Sequence, residues 1–381
     1  MYPTEEHLTI RKAVRDFAER EIKPLARELD EKGEFSPELT KKLGDIGLFN
    51  IITPEEYGGL NMDTLSYIIA VEELARVDSS QAATIAAHIS LGIGPLIKHG
   101  TLTQKQKYIP LLSTGKATWA FGLTEPDAGS DSRNTSTNAK LEDGYWIING
   151  SKTFITNGAS SINIGATVQT ITANIDGKKE FSTIIVDSDT PGFKRIPMHD
   201  KMMWRASDTA QLFFEDCKVP ADKLLGKRGE GSHIMLETLD SGRLSIAAMG
   251  LGLAQGAYEM ALKYARQRKQ FGKPIAQFQA IAFKLADMAT KIELARSLLY
   301  KAVWLNQSNL PFAKEAAMSK LYCSEIAKEV ADEAVQIFGG YGLMKEYDIE
   351  RFYRDQRILQ IGEGTSEIQR LVISRYIGCY E

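Results

Sequence analysis

Residues 281–302 read IAFKLADMATKIELARSLLYKA, and this stretch decides the fold class of the C-terminal third of the chain. Its apolar residues are spaced alternately four and three apart: Ile281, Leu285, Met288, Ile292, Ala295, Leu299 and Ala302. That spacing predicts a helix with one apolar stripe for packing against other helices. A second run has small residues at similar spacing, which permits close helix packing: Ala317, Leu321, Ser324, Ala327 and Ala331. We therefore expect an antiparallel bundle of long helices from about residue 229 to 381.

Upstream of the bundle, over residues 117–228, the pattern changes to short β-prone runs separated by turn residues. The runs are 117–123, 145–148, 152–156, 162–172, 181–186 and 212–215. Between two of them stands Asn149-Gly150, which favours the two-residue turn of a β-hairpin because both central residues need positive φ. The sequence thus predicts a β domain with a hairpin at Asn149-Gly150.

Residues 1–116 have a helical pattern. The apolar residues at helical spacing are Leu8, Val14, Phe17, Ile22, Leu65, Ile68 and Ile69. Turn residues at 54 and 57–59 interrupt the pattern, and Asp78-Ser79-Ser80 offers helix N-caps. The predicted fold class is α+β and mainly α, with a helical N-terminal domain (1–116), a central β domain (117–228) and a C-terminal helical bundle (229–381).

Composition and charge exclude several classes of protein. The chain has 381 residues, 43% hydrophobic and 25% charged, which is typical of a globular protein of two or three domains. With 46 Lys and Arg against 49 Asp and Glu, the net charge of −3 argues against nucleic acid as a partner. No apolar run approaches the ~18 residues of a membrane span. Three separated cysteines favour a reducing compartment and no metal site. We expect a bacterial cytoplasm, ahead of a mitochondrial matrix after processing.

One glycine pattern imitates a dinucleotide-binding motif. Gly250, Gly252 and Gly256 have nearly the right spacing, but no strand precedes them and the surrounding residues are helical and rich in alanine. A dinucleotide site needs a strand, a turn and a helix to direct backbone amides at pyrophosphate. We expect these glycines to permit close helix packing.

Two polar segments suit a ligand with phosphate groups. Residues 121–131, FGLTEPDAGSD, run from a strand into a loop with two hydroxyls, Thr124 and Ser130. Residues 265–274, ARQRKQFGKP, carry four cations at the end of a helix. Backbone amides and Arg side chains bind phosphate well. An ordinary turn and a solvated helix end explain the same residues equally well.

A third segment contains a candidate general base. Glu363 stands between Gly362 and Gly364, directly after the apolar run ILQI. Flexible backbone gives a carboxylate access to substrate, and apolar surroundings raise its pKa towards neutrality, which suits a general base. A turn glutamate in water is the alternative.

Five collinear motifs carry a resemblance over the whole chain. They are FGLTEPDAGSD (121–131), KTFITNG (152–158), RKQFGK (268–273), QIFGGYG (336–342) and EGTSEIQR (363–370). In this order and spacing they closely resemble the acyl-CoA dehydrogenase family. The resemblance implies a helical domain, a β domain and a four-helix bundle that enclose FAD and an acyl-CoA, commonly in a homotetramer.

The resemblance also assigns roles to matching positions. It implies flavin-ring contacts for Phe121, Leu123, Thr124, Phe154 and Thr156. It implies contacts with the FAD pyrophosphate and adenine, across a subunit boundary, for Arg268, Phe271, Gln279, Gln336, Gly339 and Gly340. It implies contacts with the FAD diphosphate and ribose for Thr365 and Glu367. Substrate or ligand-phosphate contacts follow in the same way for Ser130, Asp240, Arg243, Gly362 and Gly364.

The chemistry implied by the resemblance is α,β-dehydrogenation of the thioester. Glu363 would remove the α-proton while the β-hydride passes to flavin N5, and an electron-transfer flavoprotein would then take the electrons. The Glu363 N–H and an FAD ribityl hydroxyl would stabilise the developing enolate. Some relatives carry the base on a bundle helix, at a position that is Gly242 here, so Glu363 is the family-compatible base.

Two departures from the family pattern bear on the substrate. Many relatives have Tyr where this chain has Gly362, which predicts room for a branched or alicyclic acyl group. Many relatives also have Gly-Ile where this chain has Met203-Trp204, and Trp204 either fills the acyl pocket or packs the β domain. The alternatives to a dehydrogenase are a flavin oxidase, a decarboxylating or desulfinating relative, and an inactive scaffold that binds FAD or acyl-CoA.

Overall fold

The computed structural model describes residues 3–380, and its N-terminal part is helical as predicted. The helices are α1 (Glu5–Phe17), α2 (Lys23–Lys32), α3 (Pro37–Asp45), α4 (Thr64–Ala75), α5 (Ser79–Ala86), α6 (Gly94–His99) and α7 (Leu102–Leu112). π-Helical segments at Ala18–Ile22 and Ala87–Ile93 continue α1 into α2 and α5 into α6. Asp78 caps α5 by accepting the Ser80 N–H at 2.7 Å, as its sequence suggests.

The buried face of α1 differs by one position from the predicted one. Val14 and Phe17 are buried, but Leu8 is 47% exposed. Seven residues make about two helical turns, so His7 and not Leu8 lies on the same line as Val14. The His7 Nε2 contacts Asp63, the N-cap of α4, at 3.0 Å. The core face of α1 therefore includes a histidine that joins two helices.

The middle of the chain forms an eight-stranded sheet, which confirms the predicted β domain. The strands are β1 (Thr118–Gly122), β2 (Asn138–Glu142), β3 (Tyr145–Thr156), β4 (Asn163–Ile175), β5 (Lys178–Asp187), β6 (Phe193–Pro197), β7 (Thr209–Pro220) and β8 (Leu224–Leu225). Their order is β6-β7-β3-β2-β4-β5-β8, and β1 pairs in parallel with β4. Strand β1 also contacts the π-helical segment Ala87–Ile93, so it lies beside the helical part of the chain.

The predicted hairpin turn at Asn149-Gly150 is wrong. Strand β3 continues through both residues, between β2 and β7, with a bulge at this point. A Cβ at Gly150 would lie 2.5 Å from Thr137 Oγ1, so the glycine is required by close approach of the neighbouring chain. The hairpin turn lies at Asp143-Gly144, where φ is +48° and +81° and β2 meets β3. Asn-Gly and Asp-Gly favour the same turn, and only strand pairing distinguishes them.

The C-terminal region is a helical bundle. Its helices are α8 (Gly231–Gln267), α9 (Gln279–Gln307), α10 (Ala313–Phe338), α11 (Ile349–Asp355) and α12 (Ser366–Tyr376). Helix α10 packs against α8, α9 and α12, and these four helices form the bundle. The seam of α9 is buried from Leu285 to Ala302, as its spacing predicts, and Ile281 is half-buried. No helix within residues 3–380 has an apolar stretch long enough to cross a membrane.

The glycines of α8 are needed for helix packing, which confirms that part of the sequence prediction. A Cβ at Gly250 would lie 2.8 Å from the Cys323 carbonyl oxygen of α10. Cβ atoms at Gly252 and Gly256 would each lie 2.1 Å from a carbonyl oxygen of the α4 segment, at Glu72 and Arg76. The backbone of α8 therefore lies directly against two neighbouring helices.

Candidate active site

A tight turn between α11 and α12 presents Glu363. The Gly362 N–H donates to the Ile358 carbonyl at 2.8 Å, and Glu363 and Gly364 then have φ of +52° and +92°. A non-glycine residue with positive φ is uncommon and concentrates at functional sites. Thr365 caps α12 by accepting the Ile368 N–H at 3.3 Å. The turn is thus held at both ends by the backbone around it.

Two side chains hold the carbonyl groups of this turn. The Lys320 Nζ of α10 donates to the Gly364 carbonyl at 2.7 Å. The Gln369 Nε2 of α12 donates to the Glu363 carbonyl at 3.2 Å and to the Gly364 carbonyl at 2.9 Å. Lys320 and Gln369 are both fully buried. Neither was among the sequence-predicted site residues, because Lys320 lies inside an ordinary helical pattern and the EGTSEIQR motif that contains Gln369 assigned no role to it.

The Glu363 carboxyl group lies against α8 at Gly242. A Cβ at Gly242 would lie 1.9 Å from Glu363 Oε2, so only glycine leaves space for the carboxyl group in this position. Leu91 lies beside the same point, with its Cδ2 3.1 Å from that Cβ position. The Glu363 Oε2 is buried and has no hydrogen-bond partner among the residues described. This oxygen is therefore free to accept a proton from a bound molecule.

The electrostatic surroundings of Glu363 suit proton transfer near neutral pH. Burial raises the pKa of Glu363 to about 7, although the positive charges of Lys320 and Arg243 act in the opposite direction. Arg243 is 6% exposed and paired with Asp240, while its buried Nε has no partner within residues 3–380. The structure therefore brings Asp240, Arg243 and Glu363 together.

The end of β1 supplies an apolar surface next to α8. Phe121 and Leu123 are buried with Met235 of α8, and Leu91 and Leu239 pack against them. After β1, Thr124 is half-buried and Ser130 is exposed in the loop. These positions place an apolar wall and two hydroxyl groups along one segment.

A buried ion pair supports that segment from behind. Lys152 of β3 is fully buried, and its Nζ donates to the Leu123 carbonyl at 3.1 Å and to Glu125 Oε1 at 2.7 Å. Glu125 also accepts the Ser136 N–H at 2.6 Å and the Thr137 N–H at 3.0 Å. The lysine charge lowers the pKa of Glu125 to about 2 although burial opposes the shift. Sequence reasoning missed this pair, because a lysine in an alternating strand resembles a surface residue.

Strand β3 also exposes an aromatic ring. Phe154 has a φ of +61° and is 66% exposed, next to a bulge, while Thr156 is half-buried. A left-handed backbone conformation is unfavourable for an aromatic residue, and exposing its ring to water is a further cost. Phe154 thus has the conformation of a residue that meets a ligand or a partner.

A second candidate region, with a mainly apolar lining, lies at the C-terminal end of α10. An open cavity of about 590 Å³ is lined by residues that include Arg268, Gly339, Gly340 and Tyr341. Cβ atoms at Gly339 and Gly340 would meet nothing within 4 Å, so these glycines leave bare backbone at the cavity. The Arg268 guanidinium lies 5.6 Å from the Tyr341 ring centroid. Gln336 and Gln279 are exposed helix residues.

The cationic segment beside this cavity ends in a β-hairpin. Helix α8 stops at Gln267, and strands β9 (Lys269–Gln270) and β10 (Lys273–Pro274) pair across a two-residue turn. Phe271 is in that turn with a φ of +50° and is 93% exposed. The ring of Phe271 is thus accessible to a second molecule.

The two regions lie at opposite ends of α10. Lys320, which holds the Glu363 turn, precedes Gly339 by nineteen residues, or about 28 Å of helix at 1.5 Å per residue. The structure thus separates Arg268, Phe271, Gln279, Gln336, Gly339 and Gly340 from Glu363, Thr365 and Glu367 of the same chain. Thr365 is half-buried and Glu367 is exposed, both near the Glu363 turn.

Gly362 and Trp204, the two departures from the family pattern, have different surroundings. The three atoms nearest to a Cβ at Gly362 all belong to Ile358, at 3.5–3.7 Å, and its φ is not in the left-handed region. Trp204 has a φ of +44° and packs within the cluster of buried residues that is mainly helical. Its backbone N–H donates to Asp355 Oδ1 at 2.8 Å. Trp204 therefore packs where the β domain meets the helices.

Family models match three consecutive parts of the chain. The acyl-CoA dehydrogenase N-terminal domain matches residues 4–116, the middle domain matches 120–217 and the C-terminal domain matches 229–378. Together these matches cover nearly all of the sequence.

Individual relatives are similar over their whole length. A short-chain specific acyl-CoA dehydrogenase from Clostridium acetobutylicum is 46% identical over 97% of both chains. The caffeyl-CoA reductase-Etf complex subunit CarC from Acetobacterium woodii is 44% identical over 98% of both chains.

Solved structures have the same fold. Butyryl-CoA dehydrogenase from Megasphaera elsdenii has a TM-score of 0.96 and 42% identity, with 99% of both chains covered. Acyl-CoA dehydrogenase complexed with FAD from Bacillus anthracis has a TM-score of 0.92 and 38% identity, with 98% of this chain and 67% of that chain covered.

Proposed function

This chain belongs to the acyl-CoA dehydrogenase family, and on that premise we propose that it oxidises the Cα–Cβ bond of an acyl-CoA with Glu363 as the base. The observation that carries the proposal is the Glu363 carboxyl group, buried against Gly242 with an oxygen that has no hydrogen-bond partner among the described residues. Such a group can take a proton from a molecule bound between the β domain and α8. The product would be the 2-enoyl-CoA.

FAD is the cofactor of this reaction, and the residues present fit it. Phe121 and Leu123 offer an apolar wall, while Phe154 offers an exposed ring. Bare backbone at Gly339 and Gly340, beside the Arg268 cation, suits pyrophosphate. When bound, FAD supplies the acceptor for the hydride that leaves the substrate β-carbon.

The protein's own groups would prepare the α-carbon for proton removal. A thioester α-proton is too weakly acidic for a carboxylate in water, so the developing charge on the carbonyl oxygen needs a donor. No acceptor within residues 3–380 receives the Glu363 backbone N–H, which leaves it available for that oxygen. The Asp240–Arg243 pair would lie along the CoA arm, and Ser130 in the exposed loop would meet its polar part.

The test of the proposed function is spectroscopic. The purified protein should show flavin absorbance, and anaerobic addition of butyryl-CoA should bleach it and yield an enoyl-CoA. Slow recovery of colour in air supports a dehydrogenase, whereas rapid recovery supports an oxidase. A colourless protein that cannot take up FAD would leave only a scaffold role.

The separation along α10 supports a FAD site that two subunits complete. One chain offers Glu363 and the β1 wall, and the distant cavity with Arg268 would serve a neighbouring copy. The exposed Phe271 on its hairpin would be covered by that copy. The assembly would be a homotetramer, as the family resemblance implies.

Arg268 gives a direct test of the subunit boundary. A charge-assisted Arg–phosphate bond contributes about 1.5–3 kcal/mol, so Arg268→Ala should weaken FAD binding roughly 10- to 150-fold and shift the assembly towards smaller species. Arg266→Ala, at an exposed position of α8 that does not line the cavity, is the matched control. Retained flavin and unchanged sedimentation in Arg268→Ala would remove the role of Arg268.

The substrate proposal rests on Gly362. Many relatives have Tyr at this position, beside the reacting carbons. In this chain the three atoms nearest to a Cβ at Gly362 all belong to Ile358 and lie at ordinary contact distance. The space that remains would favour a branched or alicyclic acyl group over a straight short chain. Extra methylenes in an apolar pocket contribute only ~1–3 kcal/mol each, so we expect preference and not exclusivity.

Two variants distinguish the effect of pocket size from a conformational requirement for glycine at position 362. We expect the parent to favour isobutyryl-, 2-methylbutyryl- or cyclohexanecarbonyl-CoA over butyryl-CoA in kcat/KM. Gly362→Tyr should lose that preference selectively, while Gly362→Ala should change little because the φ of Gly362 suits any residue. A parent that prefers butyryl-CoA, or an Ala variant slowed with all substrates, contradicts the size argument.

An electron-transfer flavoprotein is the proposed acceptor of the electrons. The relative from Acetobacterium woodii is named as a subunit of an Etf complex. Phe154 of β3 is exposed, and a reduced cofactor bound against its ring would lie near the surface. We propose a reducing, cytoplasmic location, which the three free cysteines support.

A further inference from the structure

Lys320 is a lysine near the N-terminal end of α10 whose side chain has no exposure to solvent. Burying an ammonium group is costly unless a partner compensates for its lost hydration. Its hydrogen bond at 2.7 Å goes to a backbone carbonyl, that of Gly364, and not to a carboxylate. An apolar side chain would fill the same space at no such cost, so the charge itself needs an explanation.

Of the acidic groups around Lys320, Glu363 is the one whose negative charge can balance the lysine charge. Glu325, one turn further along α10, already accepts from Ser366 at 2.8 Å and from Gln360 at 3.1 Å. Arg243 of α8 is paired with Asp240. Glu367 of α12 is exposed to solvent. Of these acids, only Glu363 has a buried carboxylate oxygen that lacks a hydrogen-bond partner among residues 3–380.

We propose that Lys320 is a positioning residue for Glu363, whose ammonium group anchors the Glu363–Gly364 turn and provides the carboxylate with a fixed positive charge. The inference rests on the proposed role of Glu363 as the base. The hydrogen bond to Gly364 fixes the left-handed turn, and the ammonium group makes no hydrogen bond with Oε2, which lies against Gly242 without a partner among the described residues. A lysine in direct contact with Oε2 would block the proton acceptor.

Titration of the groups that face Glu363 supports this arrangement. Burial raises the pKa of Glu363 to about 7, and the charges of Lys320 and Arg243 limit the rise. From α4, the buried Tyr67 also faces Glu363, and burial keeps its phenol neutral. Burial lowers the pKa of Lys320 to about 8, so the lysine is still protonated at neutral pH. Without its charge, Glu363 would be mostly protonated at neutral pH, and only a small fraction of the molecules could use it as a base.

The experiment is the pH dependence of anaerobic flavin bleaching by butyryl-CoA in the holoenzyme. Lys320→Met should move the midpoint of the rate profile upward by about one pH unit or more, since removal of a nearby opposite charge has an effect of this size. The rate should fall about tenfold at pH 6 and recover towards the parental value at pH 9. Lys320→Arg should keep the parental midpoint. A Lys320→Met profile that is lower at every pH with an unmoved midpoint would overturn the proposal.

Further variants keep the inference testable if Lys320→Met does not fold. Lys320→Gln keeps a donor for the Gly364 carbonyl but has no charge, and it should show the same upward midpoint. In a Glu363→Gln background, Lys320→Gln should add little further loss, because both changes act through one group.

The two levels of proposal fail in different ways. A Glu363→Gln variant that bleaches at the parental rate removes the proposed base. An inactive Glu363→Gln variant with Lys320 variants that keep the parental midpoint removes only the inference about Lys320.

Discussion

Glu363→Gln should slow flavin bleaching by a good acyl-CoA by a factor of about 10²–10⁴, the usual contribution of a general base. The amide keeps the size of the carboxyl group but cannot accept the α-proton, and its position against Gly242 needs no rearrangement. FAD content and acyl-CoA binding should be unchanged, so the loss should appear in kcat. Stopped-flow absorbance after anaerobic mixing measures the rate, and absorbance before mixing measures the bound flavin.

The pH profile of the parent gives an independent check on the base. A base with a pKa of about 7 is protonated below that pH, so the bleaching rate should rise about tenfold per pH unit up to pH 7 and then level off. Glu363→Gln should lose this rise. Glu329→Gln, an exposed change on α10, is the control for the substitution itself and should leave the profile unchanged. Parental bleaching by the Gln variant would move the base to another residue.

Gly242→Ala should reduce the bleaching rate about 10²-fold without unfolding the protein. The new Cβ would lie 1.9 Å from Glu363 Oε2, so the carboxyl group must move by about 1 Å or more to reach an allowed contact. A displacement of ~1 Å at a reacting group costs about two orders of magnitude in rate. The group that must move is the end of a side chain, and alanine favours the helix, so thermal stability should be unchanged or higher.

Gly252→Ala is the matched control, on the same helix and equally buried. Its Cβ would lie 2.1 Å from the Glu72 carbonyl oxygen, which belongs to the backbone of α4 and cannot turn away. We expect a lower melting temperature for Gly252→Ala, with a destabilisation of about 1–3 kcal/mol. Calorimetry and bleaching rates measured on both variants separate the two effects. A Gly242→Ala variant that reacts at the parental rate would show that Glu363 works from a different position.

Local sequence patterns predicted the order of domains and the turn that carries the proposed base, but they did not reveal which side chains hold that turn. The spacing of α9 predicted its buried seam, and Glu363 between two glycines already indicated a carboxylate on a turn. Lys152 and Lys320 gave no signal, because a buried lysine in a strand or helix has the same local pattern as an exposed one. Their burial depends on which elements pack over them, and that is a property of the whole fold.

The sequence by itself determined the features that depend on neighbouring residues along the chain. These are the helical and strand periodicity, the glycines around Glu363 and the order of the five family motifs. The tertiary structure alone decided that Gly242 leaves space for the Glu363 carboxyl group and that Asn149-Gly150 is a bulge within β3. It also decided that the Arg268 cavity lies about 28 Å along α10 from the Lys320 anchor. These three facts arise between elements remote in sequence, where close approach and burial, not local propensity, determine the free energy.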